Sequence, residues 1–400
     1  MNKFQDLLLK WMATKKARVE PTANAIGISP LTLKNWRTGK HKPNSPKRVI
    51  ACANYLRLSR EQTHELLKAA GFEPEEDAFI KDIFLELPRH RVMLLLTQAN
   101  WSEPHYEDIS KGLLDGAKSK YGENNILHIK PPANLEENTN TYFSILGEQC
   151  QFGISSSSDA SSFEYALEKR LEKEKQLFLL VTRFEQGADA PREQLARIIR
   201  SATTNAPHFH VILCGGEKLA DLKYQNGAMS LLNHAEVKSC PELSRSEVYI
   251  LSQRHFGNAS FYVLDDTLAD NFLDISGGVP KLLTECFKLK QQRPDLPLNS
   301  YPDRLSQYQY IYGLFTPLIQ EPSNRQKVCQ WVQKEELGKA EPYIQDNVLR
   351  QLYWKNLLVE RKINGEKRLF WRCEAMRKAG NHICCAENNP ASPSTNGTSL

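Results

Sequence analysis

From residue 4 to residue 71 the apolar positions come in short helical bursts separated by turn formers. Residues 4–13 show helical spacing, and Pro21–Ile26 reads as a short helix with proline in its first turn. Further helices are predicted over Pro30–Thr38, Ser45–Leu56 and Ser59–Ala70. An acidic, polar stretch begins at Phe72–Asp77, and residues 72–87 are set as a linker. Beyond it the pattern changes. Apolar runs over Val92–Thr97, Asn125–Lys130, Leu177–Val181 and Phe209–Cys214 alternate with amphipathic helices over Tyr106–Tyr121, Ser162–Lys175 and Pro191–Thr203. Loops are expected over Pro131–Asn138 and the serine-rich Ser155–Ser161. Such alternation predicts a parallel sheet with helices on its faces.

Nearer the C-terminus, Arg304–Gln320, Ser323–Glu335 and Glu341–Lys355 pattern as helices. Two alternating runs, Leu357–Ile363 and Glu366–Arg372, flank Asn364-Gly365, a strong hairpin signal. Ala386–Leu400 lacks core formers, and residues 381–400 are expected to be a disordered tail. The pattern divides the chain into domains at 1–71, 88–290 and 291–380.

Composition changes this picture in two ways. Nine cysteines without framework spacing argue for reduced thiols in a cytoplasm, not for disulfides or a metal site. Neither a signal peptide nor a membrane span is expected. The net charge of +5 is also unevenly placed. Residues 1–75 hold 14 Lys and Arg against 6 Asp and Glu, a net +8, which leaves −3 for the rest. Positive charge gathered in one small domain is the footprint of a polyanion binder.

The residues between 21 and 43 give that footprint a mechanism. Gly27 sits where a tight turn between helices needs positive φ. Ser29 is a natural N-cap with Pro30 at the first helical position. The next helix buries Leu33 and Trp36 and leaves Leu31, Thr32, Lys34 and Asn35 on its other side; Gly39 ends it. Thr22–Ser29, Ser29–Trp36 and the exit Gly39-Lys40-His41-Lys42-Pro43 resemble the lambda-repressor-like (Cro/XRE) helix-turn-helix family over about residues 4–71. Arg37 departs from that family, which usually carries an acidic residue two before the exit glycine. The resemblance implies a recognition helix that enters the major groove. It nominates Ser29, Leu31, Thr32 and Asn35 for base contact, with Lys34 and Arg37 beside them. Lys40, Lys42, Lys47 and Arg48 are nominated for phosphates, which position without specifying.

In the middle domain the loop after the first strand, Thr97–His105, has neither the glycines nor the lysine of a phosphate-binding loop, and no match to GxxxxGK[ST] exists in the chain. The third strand is followed by Thr182 and Arg183, with Glu185 beyond. Cys214–Ala220, Leu243–Ile250 and Ser276–Leu283 follow in order. This order of parts resembles the AAA+ and STAND ATPase families, over about residues 88–290, including ATPases of secretion and transposition systems. Those families place Asp-Glu where Thr182 and Arg183 stand. Hydrolysis needs magnesium held by the phosphate loop and an acidic strand end. The expectation is therefore an ATPase-like domain without catalysis, and a protein that is not an enzyme, with no catalytic residue, cofactor or metal ligand assigned. Helices followed by a hairpin resemble the winged helix that commonly follows such lids. Its basic residues Arg361, Lys362, Lys367, Arg368 and Arg372 fit either a second DNA contact or solvated charge on a wing packed against protein.

The fold class expected is multidomain α and α/β: an N-terminal all-α helix-turn-helix, a central parallel-sheet domain like that of P-loop NTPases but without the phosphate loop, and a C-terminal winged helix. The expected function is a cytoplasmic, sequence-specific DNA-binding regulator of a bacterium, phage or mobile element. Its partners would be double-stranded DNA, further copies of itself, and a protein met through the ATPase-like or winged-helix domain. The alternatives are a nucleotide-dependent DNA-binding ATPase of a transposition or defence system, and a scaffold subunit of a larger complex.

Overall fold

The computed structural model describes residues 3–58, 60–72, 75–98, 103–133, 139–153, 159–256, 264–340 and 344–385. The described residues fall into two compact units divided near residue 273, with Gln98 grouped with the second.

The first unit begins with five short helices: α1 (Lys3–Thr14), α2 (Val19–Ala25), α3 (Pro30–Arg37), α4 (Pro46–Tyr55) and α5 (Arg60–Ala70). Each buries one apolar stripe in a common core, from Phe4, Leu8 and Trp11 through Leu33 and Trp36 to Val49 and Leu66. Phe4 meets Trp36 edge to face, with ring centroids 6.1 Å apart.

Where a linker was expected over 72–87, the chain forms α6 (Glu75–Glu86). Ile80, Ile83 and Leu87 are buried, and α6 packs on α7 (Glu103–Tyr121). The correction has a clear cause. Gly112 and Gly116, one turn apart on α7, receive the Ile80 and Phe84 side chains so closely that a Cβ on either glycine would overlap them. The acidic start of the segment hid an apolar stripe that becomes useful only against this partner.

Strands β1 (Val92–Leu96), β2 (Ile126–Ile129), β3 (Leu177–Val181), β4 (Phe209–Gly215) and β5 (Glu236–Ser239) form one parallel sheet in the order β2-β3-β4-β1-β5. Its helices are α7, α8 (Thr139–Gln149), α9 (Ala160–Lys173), α10 (Asp189–Asn205) and α11 (Glu217–Tyr224). Met93, Leu95, Phe178 and Leu180 face α6 and α7, while Val92, Leu94, Leu179 and Val181 pack with α8, α9 and α10 on the other face. Burial on both faces explains why these strands read as continuous apolar runs rather than alternating ones. The α/β domain and parallel sheet expected from the alternation are present. Elements not foreseen include α8, which falls in a stretch assigned no helix, α11, which begins within a segment read as strand-to-loop, and β5, whose sequence Glu-Val-Lys-Ser is too polar and too short to signal a strand. The unit continues with α12 (Arg245–Phe256) and α13 (Asp266–Ser276), the latter running past residue 273. The expected loop at Pro131–Asn138 and serine-rich segment at Ser155–Ser161 lie largely outside the described residues.

The second unit comprises α14 (Pro280–Gln292), α15 (Tyr301–Leu305), α16 (Gln309–Ile319), α17 (Pro322–Trp331), β6 (Glu336–Lys339), α18 (Asn347–Trp354), β7 (Leu358–Ile363), β8 (Glu366–Trp371) and α19 (Glu374–Cys385). The strands form an antiparallel sheet ordered β6-β8-β7, so the expected hairpin gains a third strand. Asn364 and Gly365 turn with φ of 50° and 87°, as a two-residue hairpin of that sequence requires. The tail expected from 381 begins later, because residues 381–385 end α19; residues 386–400 lie outside the described residues. Cys385 on α19 forms a disulfide with Cys329 on α17, which corrects the expectation of reduced thiols throughout. The partners are 56 residues apart in sequence, and only the packing of α17 on α19 brings them together.

Replacing Gly116 by leucine is expected to drive Phe84 and α6 off α7 and to cost about 1–3 kcal/mol, as overpacking does. Urea unfolding of the full chain checks this: an unchanged midpoint would mean that α6 is not held by the glycine groove.

Candidate nucleic-acid interface

Helices α2 and α3 are joined by a turn set by its backbone hydrogen bonds. The Gly27 N–H donates to Asn24 O (3.2 Å) and the Ile28 N–H to Ala23 O (3.0 Å), with Gly27 at φ +67°. The end of α3 repeats the arrangement. Gly39, at φ +71°, donates to Trp36 O (3.2 Å) and Lys40 to Asn35 O (3.0 Å). Both are Schellman closures with glycine in the left-handed position that other residues adopt at a cost. The entry to α3 is fixed as well. Ser29 Oγ accepts from the Thr32 N–H at 3.0 Å and lies 2.8 Å from Thr32 Oγ1, and Pro30 follows at the first helical position. The expected start and stop signals of this helix are therefore all in use.

Burial then decides which side α3 presents. Leu33 and Trp36 are buried, whereas Leu31 is 67% exposed. Lys34 is also exposed, Asn35 is half-buried, and Thr32 and Arg37 are half-buried along the flanks. At 100° per residue, Leu31, Lys34 and Asn35 share the outward face, opposite Leu33 and Trp36. Of the residues nominated for base contact, Ser29 is exposed but spends its hydroxyl on the cap and on Thr32, so its first role is structural.

The four residues nominated for phosphate contact stand in different situations. Lys40 is exposed beyond the end of α3. Lys42 Nζ lies 3.5 Å from Ala69 O at the end of α5, and Arg48 donates to Asn44 Oδ1 at 3.2 Å. Lys47 is turned toward α12 and α13. Its Nζ is 3.5 Å from Asp266 Oδ1 and 5.3 Å from the centre of the Tyr249 ring.

The carboxyl ends of the parallel strands are the second place where ligands are expected in such a fold. There the Thr97 N–H donates to Gly215 O at 2.8 Å, and His128 Nε2 lies 3.0 Å from Thr182 Oγ1. Burial, with the Lys130 charge, lowers the His128 pKa, which favours the neutral ring. Glu185 accepts from the N–H groups of Gly216 (2.7 Å), Lys218 (3.0 Å) and Leu219 (3.2 Å), so its carboxylate sits on the N-terminus of α11. Sequence reasoning missed this cap because the helix it serves begins more than 30 residues later. Buried Arg192 donates to Glu185 O at 2.8 Å and pairs with Asp189.

A nucleoside triphosphate with magnesium is the group that the resemblance drawn from the sequence implies. A loop cradling it would run from β1 into α7, and residues 97–102 carry neither glycine nor lysine. β3 is followed by Thr182 and by Arg183 at φ +55°, not by two acids, and Glu185 is engaged by α11. These residues do not fit a triphosphate held in the phosphate-loop manner.

In the second unit Lys367 and Arg368 of the hairpin, with Lys339 of β6, are paired with glutamates within the sheet. Lys367 pairs with Glu360 (3.1 Å), Lys339 with Glu366 (2.9 Å) and Arg368 with Glu336 (3.3 Å). Arg361 lies over the Phe370 ring, and buried Arg372 donates to Gly277 O and Gln98 Oε1. No described helix is long and apolar enough to cross a membrane.

No protein-family model matches the chain, and no curated protein matches it. Solved structures do resemble it. The Walker-type ATPase PABY2304 of Pyrococcus abyssi is 13% identical, covering 76% of this chain and 94% of its own, with a TM-score of 0.47. The ORC2 protein of Aeropyrum pernix, in ADPNP and ADP complexes, is 10% identical over 78% of this chain and 93% of its own, with a TM-score of 0.41. Cdc6p from Pyrobaculum aerophilum is 12% identical over 78% and 95%, with a TM-score of 0.34. The expectation that the chain is not an enzyme is withdrawn, since a Walker-type ATPase stands among the structures it resembles.

Trp36→Ala is expected to cost about 3–5 kcal/mol, the usual loss for a buried tryptophan. It should release α3 from α1, speeding hydrogen exchange across α1–α5 while the amides of β1, β3 and β4 keep their protection. Uniform acceleration over both regions would show that the tryptophan does not act locally.

Proposed function

We propose that this chain binds double-stranded DNA, with α3 as the helix of a helix-turn-helix that lies in the major groove. The observation that carries the proposal is the division of α3 into a buried face, Leu33 and Trp36, and an outward face, Leu31, Lys34 and Asn35. An exposed leucine on a short, capped helix costs solvation unless it meets an apolar surface, and a thymine methyl supplies one. The Asn35 amide can pair in bidentate fashion with adenine, and Lys34 and Lys40 can displace counterions from phosphates. Lys40 is the cleaner phosphate contact, since Lys42 already reaches the Ala69 carbonyl.

In this proposal the protein is a sequence-specific regulator that self-associates, because such domains usually read two half-sites as dimers. The ATPase-like domain and the C-terminal winged helix serve assembly or a protein partner. Internal pairing of Lys339, Lys367 and Arg368 favours a wing packed against protein over a second DNA contact. Selection of bound duplexes from a random pool tests the proposal. Enrichment of one motif supports it, and recovery of an unenriched pool sinks it. With the selected site in hand, Asn35→Ala should lose about 1–3 kcal/mol of discrimination at one base pair. Lys40→Ala should weaken all sequences alike and lower the salt slope by about one. The reverse pattern would mean that α3 is oriented differently on the duplex.

A second reading, a nucleotide-dependent DNA-binding ATPase, is favoured by the strand order, which places β1 inside the parallel sheet between β4 and β5 with α7 following it. Magnesium-dependent turnover of ATP by the purified full chain, raised by added duplex, is the outcome this reading expects. Turnover that neither magnesium nor duplex changes would reject it.

A further inference from the structure

Among the residues nominated for phosphate contact, Lys47 is the one that holds a carboxylate of another part of the first unit. Helix α4 packs against α12, and the Lys47 ammonium points between Tyr249 on α12 and Asp266 at the start of α13. Asp266 is well suited to this role. Its carboxylate accepts from the Tyr249 hydroxyl and lies 4.0 Å from Arg245 Nη1, while Arg245 is anchored on Asp270 through Nε at 2.6 Å. Hydrogen bonding from Tyr249, with Lys47 and Arg245 nearby, holds the Asp266 carboxyl below the usual range, so it remains an anion. An anion fixed by a hydroxyl donor and an arginine, with an aromatic face beside it, offers an ammonium much of what a phosphodiester offers.

We propose that Asp266 and Tyr249 form an autoinhibitory contact that occupies Lys47, so that DNA phosphate and the Asp266 carboxylate compete for one ammonium. The proposal rests on the DNA-binding function proposed above. Lys47 can serve the Asp266 carboxylate or a DNA phosphate but not both, so a duplex that engages Lys47 must displace Asp266 from it.

The test is a cycle of full-length variants, wild type, Asp266→Asn, Lys47→Ala and the double variant, titrated with a random-sequence duplex at several salt concentrations. Asp266→Asn is expected to bind between about 1.5-fold and fivefold more tightly than wild type, the range of an exposed ion pair. Lys47→Ala should weaken binding more in the Asp266→Asn background than in the wild type, because only there is the ammonium already free. Tyr249→Phe, which removes one hydroxyl, leaves the packing in place and keeps Asp266 an anion, should change binding less than Asp266→Asn and guards against a folding defect. Equal effects of Lys47→Ala in the two backgrounds, or unchanged binding in both Asp266→Asn and Tyr249→Phe, would overturn the contact while leaving DNA binding intact. Failure of every protein, wild type included, to bind duplex would overturn the DNA-binding function itself, and the contact with it.

Discussion

The first unit is organised by the need to cover both faces of one parallel sheet. Parallel strands joined by helical crossovers are covered on both faces, and in β1 and β3 every residue is apolar. In β1 and β3 successive side chains go alternately to two cores, one closed by α6 and α7 and the other by α8, α9 and α10. Once those faces are covered, the carboxyl ends of the strands and the exposed flanks of the helices are what remain for chemistry. Glu185 and Arg192 are held at these strand ends, the Glu185 carboxylate by the Gly216 N–H and the Arg192 guanidinium by the Glu185 carbonyl.

The same logic governs α3 on a smaller scale. A helix of eight residues cannot stand alone in water. It is held by two buried side chains, a serine cap at its start and a glycine closure at its end. Because those fixtures lie on one side and at the ends, the outward face is free to vary without cost to the fold. Leu31 on that face is 67% exposed.

Charge is handled differently in the two units. Around α3, Lys34 and Lys40 point into solvent, whereas Lys367 and Arg368 of the C-terminal hairpin are met by glutamates on adjacent strands. Equal counts of lysine and arginine therefore do not mean equal availability to a polyanion. Lys47 stands between these cases, basic by composition yet engaged by Asp266.

Local signals were legible in the sequence wherever the physics is local. The turn at Gly27, the cap at Ser29, the buried pair Leu33 and Trp36, the apolar runs of β1, β3 and β4, and the Asn364-Gly365 hairpin all follow from neighbours within a few residues. The sequence could not show what depends on a distant partner. Helix α6 forms because two glycines on α7 leave room for Ile80 and Phe84; β5 and β6 are strands because a neighbouring strand offers hydrogen bonds; Cys329 meets Cys385 because α17 packs on α19. The site divides in the same way. Residue types and spacing along α3 determined its two faces, but only the tertiary structure decided that Ser29 is spent on the cap, Glu185 on α11 and Lys47 on Asp266, since hydrogen bonds and ion pairs depend on distance in space and not along the chain.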